Sequence, residues 1–377
     1  MGFDFKLIKG AHTTARLGRV RGRGKEMETP LFMPVGTHAT VKAMTAEELS
    51  DAGVGMILAN AYHLYLRPGH GLIKTLGGLH SFMNWDGLII TDSGGFQVYS
   101  LCNFKKIEEN GIGFRSHLDG SLHFLTPETA IEIQEALGSD IMMVLDECAP
   151  YPSDYEYIKR AMGLTHRWAR RCKDAVRDNG RALFGIVQGG MFSDLRKESA
   201  VFMAETGFDG YAIGGLSVGE DSQLMHSMIE AVTPRLPLDN IRYLMGVGRP
   251  EDIVEAVARG VDIFDCVMPT RCARSGTLFT KRGKLVIKNS RYREDPLPVE
   301  EGCACYTCRN YSRAYLRHLF LSGEILASRL NTMHNIYYYT SLMQRMRDAI
   351  RQGGFEGFRR DFYNGLEKIE DDTIKEA

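Results

Sequence analysis

Eight short apolar runs, helical patterns between most of them, and polar residues gathered where the runs end predict an α/β chain folded as a (β/α)8 barrel. A doubly wound open sheet is the alternative. The runs are 31–35, 56–59, 88–91, 141–145, 183–187, 211–213, 243–247 and 263–267. Stretch 45–52 opens with TAEEL, a Thr cap with Glu three residues on, and 126–137 opens with TPETAIEIQEAL, with Pro at the first helical position. Helical spacing also runs through 154–179, 194–206, 221–233 and 250–259. Residues 3–25, Gly-rich and basic, read as a hairpin closing one end of the main domain.

A barrel collects its functional groups at the C-terminal ends of its strands. Asn60 follows the second run, Asp92 the third, Asp146 the fourth, Gln188 the fifth, and Gly214 and Gly215 the sixth. Gly246 lies near the end of the seventh and Asp265 within the eighth. Taken singly, each fits ordinary strand-end turn chemistry. Three carboxylates and an amide at matching positions point instead to a shared mouth.

The stretch 261–276, VDIFDCVMPTRCARSG, places Asp265 among apolar neighbours in a buried strand, where an unpaired carboxylate is costly. A loop-capping Asp is the plainer reading. Pro269 ends the strand, and Thr270, Arg271 and Arg274 follow. From 270 to 293 there are eight Lys or Arg and no Asp or Glu, an electropositive ledge suited to a phosphate backbone. A solvated charged face is the alternative.

Hydrophobic content of 44%, charged content of 25% and a net charge of −1 are those of a globular enzyme, so nucleic-acid binding has to come from a local patch. The opening MGFDFKLIKG lacks the apolar core of a signal peptide, and no apolar run approaches the ~18 residues of a membrane span. A cytoplasmic location, with no membrane partner, is the expectation.

Two insertions interrupt the repeat. Between 93 and 124, SHLDGSLHF carries a hairpin turn at Asp119-Gly120; after the eighth run, 276–299 contains the strand-like TLFTKRGKLVIKN. Of eight cysteines, Cys303, Cys305 and Cys308 cluster as C-x-C-x2-C, and His334 lies 26 residues past the last. Helical stretches 311–321 and 324–330 can fold His334 back onto the thiolates. Three thiolates and an imidazole suit tetrahedral Zn²⁺, and four protein ligands leave no place for water, so the site is expected to be structural, one ion per subunit. A redox-active thiol cluster is the alternative. Tyr311, Tyr315 and His318 share a helical face that fits core packing or a subunit interface.

Asp265 and Asp92 come from different strands but can point into one mouth, where paired carboxylates suit displacement at an anomeric carbon. Asp146 can accept from two N–H donors, while the Gln188 amide and the Gly215 N–H can donate to a carbonyl oxygen. One edge of guanine offers that complement, and Phe96 and Met245 can sandwich its ring. A nucleoside within a polynucleotide would reach the pocket by being flipped out, with Arg271 and Arg274 on neighbouring phosphates.

The motifs TDSGGFQ (91–97), LDGS (118–121), LGSDI (137–141), DEC (146–148), GGLSVGE (214–220), LMGVGRPED (244–252), FDCVMPTR (264–271) and C-x-C-x2-C…H together resemble the bacterial queuine tRNA-ribosyltransferase (tRNA-guanine transglycosylase) family over nearly the whole chain. The resemblance implies an irregular (β/α)8 TIM barrel with an inserted zinc-binding subdomain that helps place the tRNA. It implies exchange of the wobble guanine of G-U-N anticodon tRNAs for 7-aminomethyl-7-deazaguanine, the 7-deazaguanine precursor of queuosine. Asp265 would be the nucleophile, forming a covalent enzyme–RNA intermediate, and Asp92 the general acid/base. Asp92, Ser93, Gly94, Gly95, Phe96, Asp146, Gln188, Gly215 and Met245 would hold the base. The RNA would meet Gly246, Val247, Gly248, Arg249, Pro250, Glu251 and Asp252, and Thr270, Arg271, Cys272, Ala273 and Arg274. Cys148 and Val218 match base-selecting positions, and Val218 favours the smaller base over queuine. Phe96 departs from members that carry Tyr there. A homodimer is implied, which favours the interface reading of Tyr311, Tyr315 and His318.

The expected organisation is a catalytic barrel over 1–275, a zinc-binding subdomain over 276–340 and a C-terminal helical segment over 341–377. The rival functions are a zinc-bearing RNA binder without catalysis, which the presence of both Asp92 and Asp265 disfavours, and a barrel glycosidase indifferent to tRNA.

Overall fold

The computed structural model describes residues 2–11, 14–102, 104–177 and 180–366. They form two compact units, one of residues up to 41 together with 54–266, the other of 42–53 together with residues from 267 on.

The first unit is built on eight parallel strands: β1 (Leu31–Pro34), β2 (Met56–Ala59), β3 (Leu88–Thr91), β4 (Ile141–Met143), β5 (Ala182–Val187), β6 (Gly210–Ile213), β7 (Ile241–Leu244) and β8 (Ile263–Cys266). Their order in the sheet is β1-β8-β7-β6-β5-β4-β3-β2. The ring closes where Val35 bridges Leu58 in parallel and the Gly36 N–H donates to the Leu58 carbonyl at 2.6 Å. All eight expected strands are present, within three residues at every end. Strands of β1 to β7 are buried at every residue, as a parallel sheet covered by helices demands, which is why they read as unbroken apolar runs.

The intervening helices begin where their caps predicted. Side chains of Thr126, Asp154 and Asp221 accept from the backbone N–H of Thr129, Tyr157 and Leu224, opening the helices Pro127–Leu137, Tyr155–Ala175 and Ser222–Val232. Residues 178–179 of the expected 154–179 helix lie outside the described residues. The 3–25 stretch, of which 12–13 are outside them, contributes the strands Asp4–Lys9 and Leu17–Gly22 to an antiparallel sheet completed by Lys25–Thr29. The first insertion holds the expected turn at Asp119-Gly120, between the strands Gly111–Arg115 and Leu122–Leu125. It also holds a helix, Gly95–Leu101, and a third strand, Lys105–Glu108, that the sequence pattern did not announce.

In the second unit the helix Ala46–Asp51 carries the full capping box between Thr45 and Glu48. The strands Thr277–Thr280 and Gly283–Val286 form a hairpin. Pro269 does more than end a strand: it sits in the first turn of a helix, Met268–Arg274, so the basic ledge begins as helix and not as loop. The helix expected over 324–330 runs on as Ile325–Gln352, continuous across position 340. Its buried amides fasten the unit, with Asn331 Nδ2 donating to the Ala273 carbonyl at 3.2 Å and Asn335 Nδ2 to the Pro269 carbonyl at 2.9 Å. Tyr311 ends the helix Tyr306–Asn310 and is not on the next one, Arg313–Leu321, which carries Tyr315 and His318; the Tyr311 and Tyr315 rings nevertheless stack at 5.4 Å. Residues 367–377 of the expected C-terminal segment lie outside the described residues.

Candidate active site and metal centre

Alternation along β8 turns Asp265 to the inside of the barrel, in register with Met33 of β1. It is 8% exposed, and its Oδ1 accepts from the Tyr243 hydroxyl at 2.5 Å and from the Gly246 N–H at 2.8 Å. Gly246 makes that contact from a turn with φ of 74°, a conformation costly to any residue with a Cβ. Burial raises the Asp265 pKa, and the Tyr243 and Gly246 donors oppose the rise.

Asp92 follows β3 and is equally buried. Asn60 Nδ2 donates to its Oδ2 at 2.5 Å and the Ala61 N–H to its Oδ1 at 2.9 Å. Burial pushes its pKa up to about 6; Asn60 and Ala61 pull it down, and the charge of Asp265 adds to the rise. The two carboxylates are therefore close enough to feel each other, and the buried Tyr243 hydroxyl feels both.

A second pair stands beside β4 and β5. Asp146 Oδ2 accepts from Gln188 Nε2 at 2.7 Å, and burial, reinforced by the charge of Glu147, raises the Asp146 pKa to about 6. Gln188 is fixed through its N–H, which donates to Ser199 Oγ at 3.1 Å. A Cβ at Gly215, where φ is 63°, would lie 2.4 Å from Gln188 Oε1, so the amide and this peptide meet only because the residue is Gly. A cavity of about 150 Å³ borders Gln188, Gly215, Glu147 and Val218. The loop of Ser93, Gly94 and Gly95 reaches the same place: a Cβ at Gly95 would lie 2.8 Å from the Asp146 carbonyl oxygen. Phe96 leaves half its surface open, and Met245 is partly buried.

The remaining predicted contacts divide by exposure. Gly246 and Arg249 are open in the first unit, whereas Val247, Gly248, Pro250 and Asp252 are buried and Glu251 is half-buried. Asp252 faces His226 at 3.4 Å instead of solvent. In the second unit Arg271 and Arg274 are exposed, Cys272 is partly buried, and Thr270 and Ala273 are buried. Glu147, Tyr243 and Arg196 are site-lining or site-holding groups that the pattern of run ends did not single out.

The ligating atoms of Cys303, Cys305, Cys308 and His334 all lie within 4.8 Å of one another. His334 Nε2 donates to the Phe279 carbonyl at 2.8 Å, which leaves the lone pair on Nδ1, the atom 3.3 to 4.0 Å from the three sulfurs. This donor set fits a metal ion held by four protein ligands. No helix among the described residues is long and apolar enough to cross a membrane.

Residues 11–368 match the family model described as queuine tRNA-ribosyltransferase. The chain belongs to this family. It is 60% identical to the queuine tRNA-ribosyltransferase of Caldanaerobacter subterraneus subsp. tengcongensis over 355 residues, 94% of this chain and 95% of that one. The relative from Syntrophobacter fumaroxidans is 56% identical over 368 residues, 97% and 99% of the two chains. The one from Bacillus licheniformis is 55% identical over 361 residues, 95% of each. Membership of the queuine tRNA-ribosyltransferase family makes the chain a pentosyltransferase.

Proposed function

We propose that the protein exchanges the wobble guanine of G-U-N anticodon tRNAs for 7-aminomethyl-7-deazaguanine in the cytoplasm, through a covalent enzyme–RNA intermediate. The observation that carries the reading is the convergence of Asp92 and Asp265, two buried carboxylates on different strand ends, each anchored by two donors and each within the other's field.

Both anchoring bonds on Asp265 fall on Oδ1, so Oδ2 attacks C1′ of the flipped nucleoside. The C1′–N9 bond breaks, its electron pair stays with the base, and guanine leaves with a proton delivered by Asp92. The incoming base returns a proton to Asp92, attacks C1′ and expels the Asp265 carboxylate. Two displacements retain configuration. A pKa of about 6 keeps Asp92 near the working pH, where exchange in both directions is fastest.

Asp146 accepts from N1–H and the 2-amino group, Gln188 and the Gly215 N–H donate to O6, and Phe96 with Met245 covers the ring. Val218 and Cys148 narrow the site for the smaller base. Arg249, Arg271 and Arg274, exposed side chains, hold phosphates, and Gly246 approaches the RNA with its backbone. Zn²⁺, one per chain, would be held by Cys303, Cys305, Cys308 and His334 and supplies folding energy to its unit, not chemistry. The half-exposed aromatic face with Tyr311, Tyr315 and His318 pairs two copies in a homodimer.

The test is incorporation of labelled guanine into a G-U-N tRNA, with 7-aminomethyl-7-deazaguanine and queuine as competitors. Exchange that the aminomethyl base inhibits more strongly than queuine is expected. A zinc-loaded, folded protein that binds the tRNA without exchange is a binder and refutes the reading.

A further inference from the structure

Arg196 is fully buried in the helix Ser193–Thr206, and its guanidinium is spent on main-chain carbonyls. Nε donates to Gly190 at 2.8 Å, Nη1 to Gly214 at 2.6 Å and to Val187 at 3.2 Å, and Nη2 to Gly215 at 3.0 Å. One of these carbonyls, Val187, ends β5, and the other three belong to the loops after β5 and β6, the two that carry Gln188 and Gly215. Burying a cation costs several kcal/mol unless its donors are satisfied, and neutral donors could have served four carbonyls. Burial lowers the Arg196 pKa only to about 10, so the charge is present at neutral pH.

The 214–215 peptide links that charge to the site. Its carbonyl, on Gly214, accepts the shortest of the four bonds, and its N–H belongs to Gly215. In a trans peptide the C=O and N–H point in opposite directions. Holding the carbonyl toward Arg196 therefore aims the Gly215 N–H away from it, and a charge-assisted bond at one end of an amide polarises the donor at the other. One turn along the same helix, Ser199 Oγ accepts the Gln188 N–H, and its hydroxyl also meets His166 Nε2 at 3.0 Å. Residues 196 and 199 thus hold both donors that would face a base carbonyl.

We propose that Arg196 is a positioning residue for base specificity, aiming and polarising the Gly215 N–H toward the C6 oxygen of the base through the 214–215 peptide. The proposal rests on the guanine-exchange reading of this site. It predicts an effect confined to ligands that carry the C6 oxygen, which a general loosening of the loops would not produce.

The experiment measures inhibition of labelled-guanine exchange by guanine and by 2-aminopurine, which lacks the C6 oxygen and the N1 proton of guanine, each base being compared between the wild type and Arg196→Lys so that its own contact with Asp146 cancels, with Arg196→Gln as the second variant. Guanine is expected to weaken about tenfold or more and 2-aminopurine by less than about twofold. Isotope-edited infrared spectra of bound guanine give a second readout, in which the C6=O stretch is expected to move to higher frequency in the variant as its hydrogen bond weakens. Equal weakening of both bases, an unmoved stretch, or failure of both variants to fold assigns Arg196 to structure alone and overturns the proposal. A wild type that does not bind guanine sinks the underlying reading instead.

Discussion

Replacing Asp146 by Asn separates what this carboxylate does for the site from what it costs the fold. Its pKa stands at about 6, against 3.8 without the protein's influence. That difference of about two pH units corresponds to about 3 kcal/mol. The sign follows from proton counting. Between pH ~4 and ~6 the folded chain keeps a proton that the unfolded chain has released, so the contribution of Asp146 to stability falls as pH rises through that window. Above pH ~6 the cost is complete. Asn carries no charge and still accepts from Gln188 Nε2, so Asp146→Asn is expected to be more stable than the wild type by up to about 3 kcal/mol at pH 7.5. The advantage should fade as pH drops and vanish near pH 4. Urea unfolding of both chains at pH 4, 5, 6 and 7.5 measures it. A difference that stays constant across that range would refute the argument that burial sets the Asp146 pKa. In the same variant the KM for base should rise steeply, because an amide NH₂ faces the N–H donors of guanine.

Tyr243→Phe removes a donor that holds the Asp265 pKa down, so the acid limb of kcat/KM should move to higher pH and activity at neutral pH should fall about tenfold or more; an unmoved limb would show that Asp265 ionisation does not limit the rate. Cys308→Ser takes one ligand from the four-atom cluster and is expected to reduce bound zinc well below one per chain and to expose 267–366 to limited proteolysis, while full zinc content in the variant would remove Cys308 from the ligand set.

The barrel was legible because its strands are buried on both faces and its helices carry local caps, two signals that need no tertiary information. The boundaries of Met56–Ala59 and Leu88–Thr91 were read without error for that reason. What was missed depends on context. A proline can end a strand or start a helix, and the fold shows that Pro269 opens the helix Met268–Arg274, its carbonyl held by the buried amide of Asn335. The helix Ile325–Gln352 carries buried polar residues, Asn331, Thr332, His334 and Asn335, that blur its apolar stripe until their partners are known. At the candidate site, the run ends gave Asp92, Asp146 and Gln188, and a carboxylate inside an apolar run gave Asp265, because both patterns are visible in one dimension. Arg196 and Tyr243 work by reaching across to other strands and loops, and no spacing in the chain records that.

A covalent bond between Asp265 and the RNA is tested most directly by mixing the protein with a 5′-labelled G-U-N tRNA at saturating enzyme, quenching in denaturant, and resolving the products on a denaturing gel. A slower band carrying both protein and label is expected, cleared by an excess of 7-aminomethyl-7-deazaguanine, with its link mapped by mass spectrometry to the peptide containing Asp265 and absent from Asp265→Asn. Full exchange activity in Asp265→Asn, or an adduct that persists when Asp265 is replaced, would contradict the account.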